Sequence, residues 1–260
     1  MLFAGVRFAL AGLLTILICS LIERKFLYPK KASLKYVGAI SIFQTILQYI
    51  FFYVGLANTS GVKGTILSGS SAFFSILVAS LIFKQEKINF RKILACIIGF
   101  AGVVVVNLNG LKLNFNFFGD AFVIFSAICL AFSSVLIKIY SKYENPVVLS
   151  GYQFVAGGLV MAVIGLAFGG TISFRSSLGV GVLIYLSLLS AVAYALWGLL
   201  LKHNPVSKVS IYSFMTPVFG VILSRLILTE ANTVSIFNVV VALVLICIGI
   251  IIINYQKNKS

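Results

Sequence analysis

The sequence predicts an all-α polytopic membrane protein with nine transmembrane helices. Hydrophobic residues make up 61% of the 260 positions and charged residues only 10%, whereas a soluble domain has roughly 25% charged residues. Apolar stretches of about 20 residues, the length that spans a bilayer as a helix, recur along the chain between short polar loops. The loops are too short to hold a cytosolic enzyme or a regulatory module, so these classes are excluded.

Nine apolar stretches supply the predicted spans in chain order. They cover residues 2–22, 35–57, 64–83, 93–108, 120–140, 147–168, 179–201, 209–228 and 235–254. The first stretch follows no basic segment and has the length of a full span, so we expect it to remain as a helix and not to be cleaved as a signal peptide. The four cysteines all lie inside apolar stretches without paired spacing. We therefore expect them to be small core residues, with no metal site and no cofactor.

The net charge of +15 would indicate nucleic-acid binding in a soluble protein, so its distribution decides its meaning. With a cytoplasmic C-terminus, fifteen of the 20 lysines and arginines fall on the cytoplasmic side, and only Lys63, Lys112 and Arg175 fall on the opposite side. This bias follows the positive-inside rule. The sequence predicts a multi-pass protein of the cytoplasmic membrane with a cytoplasmic C-terminus and no nucleic-acid partner.

An internal repeat divides the chain. A shift of 146 residues places Arg7 on Gln153, and a shift of 147 residues places Asn107 on Asn254. We predict a first repeat of four helices at residues 1–112 and a second of five helices at residues 113–260. Since the opening helix of the second repeat has no counterpart, we expect a missing tenth helix of about 30 residues with its loop upstream. A unit of five spans reverses its orientation when it is repeated, which predicts an inverted five-plus-five architecture.

Several short segments carry a resemblance to a known family. They are Arg7-Phe8-x-x-Ala11-Gly12, Gly55-Leu56-x-x-Thr59-Ser60, Glu86 followed by Gly99-x-x-Gly102, and Asn204-Pro205-Val206 leading to Pro217 and Glu230. Along its whole length the chain resembles the drug/metabolite transporter superfamily with EamA-type domains. The resemblance implies ten helices in two inverted halves, cytoplasmic termini and a central cavity that alternates its exposure. The chain departs from this pattern by lacking helix one, which lines the cavity in the family.

Polar and aromatic residues on the second predicted helix and on its repeat equivalent are candidates for a substrate cavity, because polar side chains in a bilayer must face protein or a solvated cavity. A shift of 144 residues places Tyr53 on Trp197. The candidates are Gln44, Gln48, Tyr49, Tyr53, Tyr194 and Trp197. The alternative is that the aromatic residues simply make helix contacts.

Two further helices carry small polar residues at repeat-equivalent positions. The candidates there are Ser68 and Ser71, from a cluster that also holds Thr65, Ser70 and Ser75, together with Tyr212, Met215, Thr216 and Pro217 beside Ser213. The hydroxyls can serve close helix packing or line a polar cavity. Pro217 lacks a backbone donor, so we expect a local irregularity that frees a carbonyl for substrate.

Four charged residues are candidates for charge or gating roles: Arg7, Arg225, Glu86 and Glu230. Both arginines lie within predicted spans near the outer side, where snorkelling to the interface and attraction of an anionic or zwitterionic substrate are both open. Both glutamates end a helix beside a loop, where we expect structural or gating contacts. No acid lies deep in a predicted span, so the sequence indicates no buried carboxylate for proton coupling.

The resemblance implies a secondary transporter, and not an enzyme, that exports or exchanges small polar metabolites such as amino acids by alternating access. The alternatives are a non-transporting membrane partner or truncated relic, and a multispan lipid-modifying enzyme. Such an enzyme needs clustered His, Asp, Glu or Cys near one face, and the sequence contains no such constellation. The expected partners are a small-molecule substrate and the lipid bilayer, and a homodimer stays open.

Overall fold

The computed structural model describes residues 1–108, 115–172, 177–227 and 236–255, without the side chains of 177, 221, 224–227 and 236. These residues form nine helices, each of which falls on one predicted span. The helices are α1 Leu2–Ile22, α2 Lys31–Asn58, α3 Gly61–Ile82, α4 Phe90–Val106, α5 Phe117–Tyr140, α6 Pro146–Ala167, α7 Ser177–His203, α8 at residues 206–227 and α9 Ile236–Asn254.

Seven of the described helices are long and apolar enough to cross a membrane. The other two are α4, which has 17 residues, and α8, which adjoins residues outside the description. The described residues contain no strand. The predicted class, an all-α polytopic membrane protein, is therefore confirmed.

Polar side chains fix where several helices begin. Ser60, Asn89, Asn116 and Asn145 accept hydrogen bonds from backbone N–H groups in the first turns of α3, α4, α5 and α6. These N–H groups have no partner within a helix and would otherwise be unsatisfied at the membrane edge. Pro146 follows Asn145 at the first position of α6, where a proline has no hydrogen bond to lose.

Three helices are interrupted inside their predicted spans. Helix α2 winds as a π-helix over Ser41–Leu47, α3 breaks at Ser70, and α8 contains a 3-10 turn over Ile211–Phe214. Ser70 and Phe214, the last residue of the turn in α8, are 144 residues apart, and 144 is the shift that aligns α3 with α8 in the predicted repeat. The turn in α8 ends three residues before Pro217, in agreement with the predicted irregularity.

The chain packs as two compact units. Unit 1 comprises Met1–Tyr53 and Ser133–Asn204, and unit 2 comprises Val54–Phe132 and Pro205–Ser260. Each unit therefore combines helices from both predicted repeats. The boundary between the repeats at residue 112 lies outside the described residues, so the division at that point stays a prediction.

Helices α1 and α6 approach each other through glycines in unit 1. A Cβ atom on Gly158 would lie 2.4 Å from the backbone nitrogen of Ala9, and one on Gly12 would lie 2.7 Å from the backbone nitrogen of Val155. The shift of 146 residues places Gly12 on Gly158 and Ala9 on Val155, so the two contacts are equivalent. The two helices thus make reciprocal contacts about a local pseudo-two-fold axis, with backbone against backbone.

Helices α4 and α9 form the corresponding pair in unit 2. The Asn107 side chain donates to the carbonyl of Val103 over 2.8 Å, and its repeat equivalent Asn254 donates to the carbonyl of Ile250 over 2.9 Å. The same local bond therefore occurs at two positions that the predicted repeat makes equivalent. The hydrophobic core of this unit includes the fully buried Phe214 of α8.

The cysteines only partly follow the expectation of a buried position. Cys96 and Cys129 are buried and Cys19 is partly buried, but Cys247 is exposed on α9. The expectation is wrong for Cys247 because an apolar stretch in a membrane protein contains lipid-facing as well as core-facing positions. All four thiols are free.

Candidate functional site

Four aromatic rings pack together at the base of a polar site in unit 1. The ring of Phe8 on α1 stacks on that of Phe154 on α6, with centroids 5.1 Å apart. Tyr49 of α2 lies against Phe8 at 4.4 Å, and Tyr194 of α7 meets the ring of Phe154 edge-on at 4.7 Å. Two helices from each predicted repeat therefore converge on one aromatic cluster.

A hydrogen bond between two tyrosines crosses this cluster. The hydroxyls of Tyr49 and Tyr194 lie 2.7 Å apart and form a hydrogen bond between α2 and α7, in which either hydroxyl can be the donor. The Gln48 side chain lies near the Tyr194 hydroxyl, and the ring of Tyr53 lies 5.9 Å from that of Tyr49. The structure thus brings together four residues that the sequence proposed separately as cavity candidates.

Several buried polar atoms around this cluster have no partner among the described residues. Gln44 is fully buried, yet both its amide nitrogen and its amide oxygen lack a hydrogen bond. The same holds for the amide oxygen of Gln48 and the indole nitrogen of Trp197. Leaving a buried polar group unsatisfied costs about 1–3 kcal/mol, so these atoms need a bound molecule or water.

Arg7 adds a positive charge to the same unit. It lies three residues after Ala4 and four before Ala11, two buried residues that mark the inward face of α1. Its guanidinium carbon lies 4.4 Å from the centroid of the Phe8 ring, and its Nε atom is buried without a hydrogen-bond partner. Its charge acts on the hydroxyls of both Tyr49 and Tyr194. The cation therefore faces the tyrosine pair.

Gln153 belongs to the site and was missed as a candidate in the sequence. It is fully buried on α6, where its side-chain oxygen accepts a 2.6 Å hydrogen bond from the Thr45 hydroxyl, and its amide nitrogen has no partner. The signal for it was present in the repeat, since Gln153 is the equivalent of Arg7. We call the set of Arg7, Gln44, Gln48, Tyr49, Gln153, Tyr194 and Trp197 the unit 1 polar site.

The π-helical stretch of α2 presents Gln44 and Thr45 to this site. Its wider turns shift the register of the side chains that follow, and the Ser41 hydroxyl at its start donates to the carbonyls of Val37 and Gln153. Such π-helical turns recur at functional sites because they direct side chains that a regular helix would turn away. The local irregularity and the unsatisfied polar atoms thus occur on the same segment.

The remaining cavity candidates belong to unit 2 and have local roles there. The Ser68 hydroxyl donates to the carbonyl of Gly64 over 2.7 Å, and Ser71 is buried beside the break in α3. Such bonds to the preceding turn satisfy a hydroxyl within its own helix. Met215 packs on the unit 2 core.

The other candidates on α8 are more open. Tyr212 is 50% exposed, and its hydroxyl accepts a long 3.5 Å bond from the Asn254 side chain. Thr216 is exposed and Pro217 is half-buried. These three residues are not members of the unit 1 polar site, and a role for them in substrate passage stays a prediction.

Glu86 ties three segments of unit 2 together. Its carboxylate accepts a 2.6 Å bond from Lys92 at the start of α4 and bonds from both the hydroxyl and the backbone N–H of Ser207 at the start of α8. Burial alone would raise the pKa of Glu86, but these hydrogen bonds and the Lys92 charge together hold it below its usual value. The geometry is that of a structural or gating contact between helix ends.

A second ion pair in unit 2 was not predicted. Asp120 in the first turn of α5 accepts hydrogen bonds from the Lys63 ammonium and the Thr59 hydroxyl, and a 2.9 Å bond from the backbone N–H of Asn116. Its side chain is 3% exposed. The pair joins the start of α3 to that of α5, and the sequence analysis placed Lys63 just before a predicted span and Asp120 at the first position of another.

The last two charge candidates are Arg225, whose side chain lies outside the described part of α8, and Glu230, which lies wholly outside the described residues.

The matches to known proteins agree with this architecture. A model of the EamA-like transporter family matches residues 1–108 and 117–255. A crystal structure with 14% sequence identity superposes with a TM-score of 0.81 over 96% of this chain and 87% of the other chain, which shows the same fold.

Two of three similar proteins carry a transporter name. The chain is 27% identical to a WAT1-related chloroplastic protein of Arabidopsis thaliana over 81% of its own length, and it spans 52% of that protein. It is 28% identical to an uncharacterized transporter of Archaeoglobus fulgidus, with 88% and 80% of the two chains covered. It is 26% identical to the uncharacterized transporter YyaM of Bacillus subtilis, with 95% and 82% covered.

Proposed function

Because the chain belongs to the EamA-like transporter family, we propose that it is a secondary transporter that exports or exchanges small polar metabolites, amino acids or related compounds. We place it in the cytoplasmic membrane with its C-terminus in the cytoplasm. The observation that carries the proposal is the unit 1 polar site, in which fully buried amides and a cation lack partners.

The chemistry of this site suits a small polar solute. The unpaired atoms include donors on Gln44, Gln153 and Trp197 and acceptors on Gln44 and Gln48. A site that served packing alone would pair these groups with each other, because unsatisfied polar groups are costly in a bilayer. Aromatic rings beside them offer apolar contact area for the carbon skeleton of a metabolite.

The arrangement of helices also suits alternating access. The site takes α1 and α2 from the first predicted repeat and α6 and α7 from the second, and substrate sites of inverted-repeat transporters lie where the repeats meet. The glycines hold α1 and α6 in backbone contact, whereas the tyrosine pair joins α2 to α7 through one hydrogen bond. We therefore propose that movement occurs at the tyrosine pair, which breaks and re-forms during the transport cycle.

Transport by proteoliposomes that contain the purified protein tests this function. We expect counterflow of one or more labelled amino acids or related polar metabolites, and we expect Trp197→Ala to abolish it. Tyr185→Ala is the matched control, since Tyr185 lies on the same helix and is 63% exposed. Absence of counterflow for the whole panel, or normal counterflow by Trp197→Ala, would contradict the proposal. In the first case, a non-transporting partner of a membrane protein becomes the better assignment.

A further inference from the structure

Arg7 is a cation without a counter-ion in the helices that surround it. Its Nε atom is fully buried and has no hydrogen-bond partner, and no hydrogen bond or ion pair of its two terminal nitrogens occurs among the described residues. The face of the Phe8 ring is the contact that the guanidinium does make. A cation–π contact recovers only part of the cost of placing a charge in a bilayer.

The acids of unit 1 lie outside its spans. Unit 1 contains only Glu23 and Glu144, and both follow the ends of its spans. Glu144 accepts bonds from the backbone N–H groups of Lys30 and Asn145, which together with the Ser33 hydroxyl lower its pKa despite partial burial. The spans of unit 1 therefore supply no carboxylate to Arg7.

The other cations of the unit 1 spans do not face this site. Lys31, Lys35 and Lys202 are exposed near helix ends, and Lys138 donates to the carbonyls of Lys202 and Asn204 at the end of α7. The site thus holds one net positive charge. A singly charged carboxylate balances it, whereas a phosphate dianion would leave an excess negative charge in the bilayer.

We propose that the unit 1 polar site binds a carboxylate-bearing substrate, whose carboxylate pairs with the guanidinium of Arg7. This inference rests on the transport function proposed above and names the chemical group that the site recognises. Arginine suits this role because its planar fork donates two parallel hydrogen bonds to a carboxylate. The free oxygens of Gln44 and Gln48 then accept from a donor group elsewhere on the substrate, such as an ammonium.

Trp197 makes the binding directly measurable. It is the single tryptophan of the chain, and its unpaired indole nitrogen belongs to the proposed site. Its fluorescence in nanodiscs is titrated with aliphatic amino acids, with their amides, and with the amines that lack the carboxylate. We expect the acids to change the emission, and the amides and amines to bind at least roughly 30-fold more weakly, since removing one partner of a buried charge pair has a cost of this size.

Substitutions then assign the effect to one side chain. Arg7→Gln should bind acid and amide equally weakly, and Arg7→Lys should recover part of the preference for the acid. The control Arg91→Gln removes an exposed arginine of unit 2 and should bind as the wild type does. If Arg7→Gln does not fold, the acid and amide titrations of the wild-type protein still decide the proposal.

Each outcome separates this inference from the transport proposal. Equal binding of acids and amides, failure of every acid to bind, or an unchanged preference in Arg7→Gln would overturn the carboxylate site. Binding of acids without counterflow of any solute would leave the carboxylate site in place and contradict transport. Counterflow of a solute without a carboxylate, unaffected by Arg7→Gln, would retain transport and remove the proposed role of Arg7.

Discussion

Replacing Gly158 by alanine tests whether the close approach of α1 and α6 positions the unit 1 polar site. The new Cβ atom would lie 2.4 Å from the backbone nitrogen of Ala9 and 2.8 Å from the carbonyl oxygen of Gly5, where ordinary contacts begin at 3.4 Å. These neighbours are backbone atoms and cannot rotate away. The two helices must therefore separate by about 1 Å, which is the deficit in that contact distance.

The expected cost follows from this displacement. Overpacking of a tightly packed core destabilises a protein by about 1–3 kcal/mol, whereas alanine gains up to about 1 kcal/mol over glycine in a helix. Gly181→Ala on α7 isolates that second effect, because a Cβ atom there meets nothing within 4 Å. We expect the free energy of unfolding of Gly158→Ala to be about 1–3 kcal/mol lower than that of Gly181→Ala.

Thermal unfolding in detergent measures the stability difference, and the fluorescence of Trp197 measures the effect on the site. A difference of 1–3 kcal/mol corresponds to a melting temperature roughly 2–12 °C lower. Because α1 carries Arg7 and α6 carries Gln153, the same shift should also weaken substrate binding, as misplacement by 1 Å does at other sites. Equal melting temperatures for the two alanine variants would refute the close approach.

Three further substitutions test separate contacts. The pKa of Glu86 is held below its usual value, so its pairing with Lys92 stabilises the fold above about pH 4.3. This stabilisation is lost as the pH falls through the lowered pKa. Acid unfolding curves of Glu86→Gln should therefore show a smaller loss of stability at low pH. Tyr49→Phe removes the bond to Tyr194 and should change counterflow rates more than stability; an unchanged rate contradicts a role in the cycle. Thr45→Val leaves the Gln153 oxygen unpaired and should lower the free energy of unfolding by about 1–3 kcal/mol; unchanged chemical unfolding contradicts this.

The sequence predicted the helices well because bilayer spans depend on local properties. A run of about 20 apolar residues has the length of a bilayer span whatever its neighbours are. The repeat stays a prediction, and Asn107 and Asn254, which it makes equivalent, form matching side-chain bonds.

The candidate site was only partly predictable. Gln48, Tyr49, Tyr53 and Tyr194 stand out because polar side chains within a span must face protein or a solvated cavity, and the structure brings them together. Tyr49 and Tyr194 lie 145 residues apart in the chain, so no local pattern could show that they meet. The repeat alignment identifies equivalent positions, but it does not say which helices touch.

The amino-acid sequence by itself determined the membrane class and the helices, because these depend on hydrophobic length, and it predicted the repeat from similarity along the chain. Only the tertiary structure decided that α1 pairs with α6 and that Arg7 faces the tyrosines. The physical reason is that lipid-facing and core-facing positions are both apolar in a membrane protein, so the packed face of a helix leaves little trace in its hydrophobic pattern. Glycine contacts such as that of Gly158 with Ala9, and polar atoms without partners, reveal that face once the helices are assembled.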